Sequence, residues 1–343
     1  MKKYLYYLGL SVTVLALGIC MNLVTSCEGP EGPAGMDANE NCVQCHNDGS
    51  VLFAKSLQAG NSKHMTGTAF ERNSTSCAIC HTSQGFVERM DAGTTTTSGT
   101  IHNPTPPNCR TCHMIHENYD TTDFALRYSD PVTLWINDVT IDLGDGNLCA
   151  NCHQPRIPDP LPTVGGGNVT INSNRWGPHH GLQSSTLWGT GGYEIAGSES
   201  YGTPGSTTHA GAGCTQCHMA EAYGNQAGGH TFNMTYDYHG RESENVAACT
   251  GCHSSLKSFD YNGVQSEVEE LLDSLKNVLA DKGWLDPDEE LPNASSDNPL
   301  VLSADDAGTL LNFLIILEDG SHGVHNPGYT VALLTNSLEH LTK

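Results

Sequence analysis

Cys109-Arg110-Thr111-Cys112-His113 is one of six stretches of the same form, and how they are read decides the fold. The others are Cys42-Val43-Gln44-Cys45-His46, Cys77-Ala78-Ile79-Cys80-His81, Cys149-Ala150-Asn151-Cys152-His153, Cys214-Thr215-Gln216-Cys217-His218 and Cys249-Thr250-Gly251-Cys252-His253. Two cysteines three positions apart lie about one helical turn from each other. Both sulfurs can then reach one edge of a flat macrocycle and bond its vinyl groups. The histidine that follows sits under the metal and supplies a nitrogen. Such a pattern is the attachment signature of c-type haem. Zinc held by four cysteines takes two pairs per ion and gives no reason for a histidine after each pair. A thioredoxin-like redox pair gives none either. The motifs therefore nominate twelve cysteines as attachment points for six covalent haems, with His46, His81, His113, His153, His218 and His253 as proximal iron ligands.

Working outward, the motif starts are separated by 35, 32, 40, 65 and 35 residues, so no fixed-period solenoid is built. The region 42–260 is rich in Gly, Ser, Thr and Asn and offers little for an ordinary apolar core. Haem faces are expected to fill that space, with the chain wrapped round them in short helices and loops. The fold class expected is mainly α with much irregular loop, a haem-organised domain over 42–260 followed by a C-terminal helical segment over 261–343. The chain has 15 Lys+Arg against 38 Asp+Glu, a formal charge of −23. Nucleic acid is excluded as a partner, because phosphate backbones call for a basic stripe. An acidic surface favours cationic partners instead.

Only two cysteines fall outside the motifs, Cys20 and Cys27. Lys2 and Lys3 followed by the apolar run Tyr4 to Cys20 form a secretory signal pattern. Val24-Thr25-Ser26-Cys27 resembles a bacterial lipobox, which makes 1–26 the signal and Cys27 the lipidated residue; an uncleaved membrane helix is the alternative. Residues 27–41 contain three Gly-X-Y triplets, too few for collagen, and are expected to form a flexible tether. The expected location is exported, lipid-anchored at the outer membrane, on its periplasmic or cell-surface face.

Of seventeen histidines, eleven remain once the six proximal ones are set aside, a surplus that suggests two histidines per iron. Methionine is the other common axial ligand, and Met65, Met90, Met114, Met219 and Met234 are available. Several settings are distinctive: Ser62-Lys63-His64, His113-Met114-Ile115-His116, Gly177-Pro178-His179-His180-Gly181, Thr208-His209, Gly229-His230-Thr231-Phe232 and Gly323-Val324-His325-Asn326-Pro327. In these the chain, from about Cys42 to its end, resembles the multihaem cytochromes c of the cytochrome c554 and nitrite-reductase-like group. The resemblance implies that His64, His116, His179, His209, His230 and His325 are distal ligands, with His180 the alternative to His179. His116, three residues past His113, points away from that iron and is expected to serve a neighbouring haem. His102, His239, His322 and His340 are read as structural.

Val264, Val268, Leu271, Leu272, Leu275, Val278 and Leu279 follow the spacing of an amphipathic helix, with Gly283 as its stop. Ser303-x-x-Asp306 opens a second helix that ends near Gly320, and Asn326-Pro327 opens a third. Their stripes are expected to pack on one another, or alternatively to form a dimer interface as nitrite-reductase-like relatives do. Electron transfer is the leading function, with other cytochromes or a membrane quinol oxidoreductase as redox partners. The rivals are a reductase of small nitrogen or sulfur oxyanions with one open haem, and a filament-forming structural cytochrome. No Cys-x-x-Cys-Lys, which the resembled reductases often use at the catalytic haem, occurs in the chain.

Overall fold

The computed structural model describes residues 42, 43, 45, 46, 49 and 51–343. The proposed signal, the lipidation site Cys27 and the tether lie outside the described residues. The chain divides into two compact units, Met1–His46 and Asn47–Lys343. In the first, Cys42, Val43 and Cys45 are helical and the His46 amide donates to the Cys42 carbonyl at 2.7 Å.

The second unit is mainly helical with long irregular segments, as the composition led us to expect. Its helices run α1 (Val51–Gly60), α2 (Lys63–Thr66), α3 (Ala78–His81), α4 (Ser83–Ala92), α5 (Cys109–Cys112), α6 (Asn147–Ala150), α7 (Gln183–Trp188), α8 (Thr208–His218), α9 (Val264–Asp281), α10 (Ala304–Asp319) and α11 (Pro327–Thr342). Four antiparallel pairs of short strands punctuate them: β1 (Val132–Thr133) with β2 (Thr140–Ile141), β3 (Val169–Ile171) with β8 (Leu300–Leu302), β4 (Thr235–Asp237) with β5 (Glu242–Glu244), and β6 (Leu285–Asp286) with β7 (Leu291–Pro292).

The three C-terminal helices pack on one another. Helix α9 buries Val268, Leu272, Leu275 and Leu279, a single stripe with a solvated opposite face. Helix α10 is buried on nearly every side from Ala307 to Ile316, so it forms the centre of the bundle. Ser303 caps it by accepting from the Asp306 amide, and Asn326 caps α11 by accepting from Tyr329, with Pro327 as its first residue. Each buried leucine here contributes about 1.5–3 kcal/mol.

Packing also runs across residue 260. Val169, Ile171, Trp176 and Leu182 join the core built by α9, α10 and α11, and Ile171 pairs with Leu300 across the β3–β8 ladder. A separate apolar cluster of Val132, Leu134, Ile141, Leu143, Ala150 and Leu187 lies in the centre of the chain, with Cys214 against it. The polar middle thus has a modest core, which composition alone hid because its members are scattered singly among Gly, Asn and Asp. Among the described residues, no helix is long and apolar enough to cross a membrane.

Candidate haem-ligand site

Four motifs coincide wholly or in part with a short helix, and the sixth makes a turn of the same hydrogen-bond spacing. The histidine amide donates to the first cysteine's carbonyl at 3.1 Å in His81, 2.8 Å in His113, 2.9 Å in His153 and 2.8 Å in His253. This turn turns both thiols of a pair toward one side. In α8 the turn is isolated from the helix before it by Gly213, at φ +68°. A Cβ there would sit 2.7 Å from the Leu143 carbonyl oxygen, so glycine is required both for the bend and for the close approach. The bend separates His209, at the start of α8, from Cys214-x-x-Cys217-His218 at its end.

Thiols from different motifs meet one to one. Cys80 and Cys152 share a hydrogen bond, as do Cys149 and Cys214. Burial pushes the Cys112 thiol up to about 12 and also raises Cys217 and Cys249, which disfavours the thiolate that a metal ligand needs. Among the described residues, no three of His, Cys, Asp and Glu gather into a metal cage. Cys112, Cys217 and Cys249 thus sit in settings that suit a neutral thioether, while Cys80 and Cys149 are lowered by the thiols they meet.

The histidines show a repeated geometry. Five motif histidines each face a histidine from elsewhere in the chain: His64 with His153 (ring centroids 6.0 Å apart), His81 with His179 (6.2 Å), His113 with His230 (6.1 Å), His209 with His253 (6.3 Å) and His218 with His325 (6.3 Å). The angles between ring planes are 75°, 80°, 29°, 79° and 41°, in the same order. Direct ring packing draws stacked rings closer than crossed ones. Tyr223 stacks on Tyr236 at 3.9 Å, and His116 on Tyr119 at 5.4 Å. The five histidine pairs hold one distance whatever their angle. A metal atom held between two rings would call for that spacing: two metal–nitrogen bonds of about 2 Å, with each nitrogen about 1.1 Å from its centroid, put the centroids about 6 Å apart. The donor set and the spacing fit a haem iron in each of these five places.

Hydrogen bonds fix the tautomers. Nδ1 of His113 lies 2.7 Å from the Phe124 carbonyl oxygen, that of His209 2.7 Å from Val324 O, that of His218 3.1 Å from Phe232 O, and that of His153 3.0 Å from Gln183 Oε1. Each of these oxygens can only accept, so Nδ1 carries the proton and the lone pair stands on Nε2. Burial lowers His325 but the Asp319 carboxylate outweighs this and raises it, whereas in six of the other rings burial favours the neutral form. Burial holds His64 down at about 4, helped by His153 and His218; His179 at about 4, helped by His180 and Arg156; and His230 at about 4, helped by Lys55 and His113. His81, His153 and His218 are lowered by burial as well. Neutral imidazole is the form that binds metal.

His179 rather than His180 faces a motif histidine. Its backbone is left-handed at φ +63°, a costly conformation for a residue other than glycine. His180 is exposed and its Nδ1 lies 2.5 Å from Glu318. His116 lies outside the five pairs. It is also left-handed, at φ +65°, and the Asp123 carboxylate accepts from its amide and from those of Asn118 and Tyr119. His322 contacts Glu269 and His340 contacts Asp306. Two further residues support these rings, Phe232 from the stretch already quoted and Gln183, which carries no signal in the sequence. Phe232 packs its ring on both His64 and His230 while its carbonyl faces His218. Gln183 links His153 to the backbone of Glu318 and Asp319.

No family model matches the chain, and no curated protein matches it. Among solved structures, the crystal structure of the outer cell wall cytochrome OcwA is similar, at 21% identity and a TM-score of 0.46. The match covers 84% of this chain and 49% of that one, so the chain spans about half its length. A likeness of that degree carries no argument, and the functional reading rests on the residues described above.

Proposed function

We propose that the chain is a multihaem electron carrier holding six covalent haems, one on each motif. A bound haem supplies a one-electron iron couple, and the chain's residues determine how that couple is held. The single observation that carries this reading is the constant 6.0–6.3 Å between the histidine rings of five pairs. A ring on both sides of the iron in these five places would leave no position for a substrate there, which favours a carrier over an oxyanion reductase. The Cys80–Cys152 and Cys149–Cys214 contacts set the attachment edges of the second, fourth and fifth groups side by side, a layout suited to passing electrons onward. The settings of the distal histidines favour the cytochrome c554 and nitrite-reductase-like group. Lipidation at Cys27 would hold the carrier at the outer membrane, exchanging electrons with other cytochromes or a membrane quinol oxidoreductase.

The stoichiometry is tested by the intact mass of the exported protein under denaturing conditions. The expected value is the processed polypeptide plus six haems. A mass with fewer haems overturns the assignment for the motifs left empty.

A further inference from the structure

We propose that Asp319 is a positioning residue that gives the haem on Cys214 and Cys217 the lowest potential among the haems of the five histidine pairs. This inference rests on the reading of His218 and His325 as ligands of one iron. Asp319 ends α10 and its side chain is 1% exposed. Its two carboxylate oxygens lie 2.9 and 3.1 Å from His325 Nδ1. The Ser321 hydroxyl donates to the same carboxylate, and no lysine or arginine is among its described partners. Within the five pairs, the other ring nitrogens with a described acceptor meet neutral oxygens, on Phe124, Gln183, Val324 and Phe232. The fifth pair alone, among the described residues, is backed by a full negative charge.

Charge at this position acts through the ring. A carboxylate that accepts the Nδ1 proton draws it away from the imidazole and makes Nε2 a stronger donor. A stronger donor stabilises the more positive, oxidised iron and lowers its potential. Burial amplifies the effect, because the field of the carboxylate is weakly screened. The lever is local, since Asp319 reaches the fourth motif's His153 only through its backbone carbonyl and Gln183.

The test is a spectroelectrochemical titration of the holoprotein and two variants. Asp319→Asn keeps the shape and removes the charge, and one haem's share of the absorbance change should move to higher potential while the rest stays in place. Ser321→Ala removes a donor that competes for the carboxylate, so the same component should move the opposite way. Both variants should keep six haems and a low-spin spectrum. Absence of a shift in Asp319→Asn, or shifts of the same sign in both, overturns the proposal. His325→Ala separates the two layers: a high-spin signal from one haem upholds the ligation, and its absence sinks the ligand reading itself.

Discussion

His179 and His180 are neighbours in the chain, yet their rings meet different surroundings. The first is folded into a left-handed backbone against His81, while the second reaches solvent and Glu318. His179→Ala should therefore convert one haem from low to high spin in the absorbance spectrum, and His180→Ala should leave the spectrum unchanged. Asp123 gives a second prediction. Burial raises its carboxyl, but the amides of Asn118, His116 and Tyr119 outweigh this and hold it below the ordinary carboxylate range. A carboxyl lowered on folding contributes stability that is present above its unfolded value, about 3.9, and is lost as pH falls through the folded one. Amide exchange at Asn118 and Tyr119 should accelerate, beyond its intrinsic pH trend, only as pH drops below about 4, and in Asp123→Ala at every pH. The motif histidines were legible at this scale because covalent chemistry fixes their spacing. The outer partners Gln183 and Asp319 were not: the bonds from Gln183 to Glu318 and Asp319 close over 135 and 136 residues, and one carboxylate six residues before His325 makes no repeating pattern.

Elements divide by the same logic. Helices α9, α10 and α11 follow from apolar periodicity, from Ser303 and Asn326 as caps and from Pro327, all of which act within a few residues. The two- and three-residue strands were invisible, and so was the union of β3 with β8, which joins residues more than a hundred positions apart. Helix α10 is the central support of the bundle, with Leu310 and Leu311 at 0% and 1% exposure. Leu310→Ala should cost about 2–5 kcal/mol and lower the melting temperature followed by far-ultraviolet circular dichroism. Gly213 tests the bend in α8. Gly213→Ala forces alanine into the extended positive-φ region (φ +68°, ψ −178°) that glycine alone ordinarily adopts, about 1–3 kcal/mol, and onto the Leu143 carbonyl, and a lower melting point with weakened haem retention at the fifth motif in peptide mass mapping is the expected outcome.

For the whole molecule, the formal charge of −23 governs how it meets partners. A cationic redox partner should exchange electrons quickly at low salt and progressively more slowly as ionic strength rises, whereas an anionic one should show the reverse in stopped-flow mixing. The polypeptide supplies a small central core and a C-terminal bundle, and the remaining order is assigned to the haems that its histidine pairs would clamp. That claim is tested most directly by electron paramagnetic resonance of the fully oxidised protein. Crossed imidazole planes leave the two iron orbitals that interact with them nearly equal in energy, and planes nearer to parallel split them. Three pairs cross at 75–80°, while the other two lie at 29° and 41°. The account predicts low-spin iron throughout, with strongly anisotropic low-field features from the crossed pairs beside rhombic signals from the others. A substantial high-spin signal in the intact protein would contradict it.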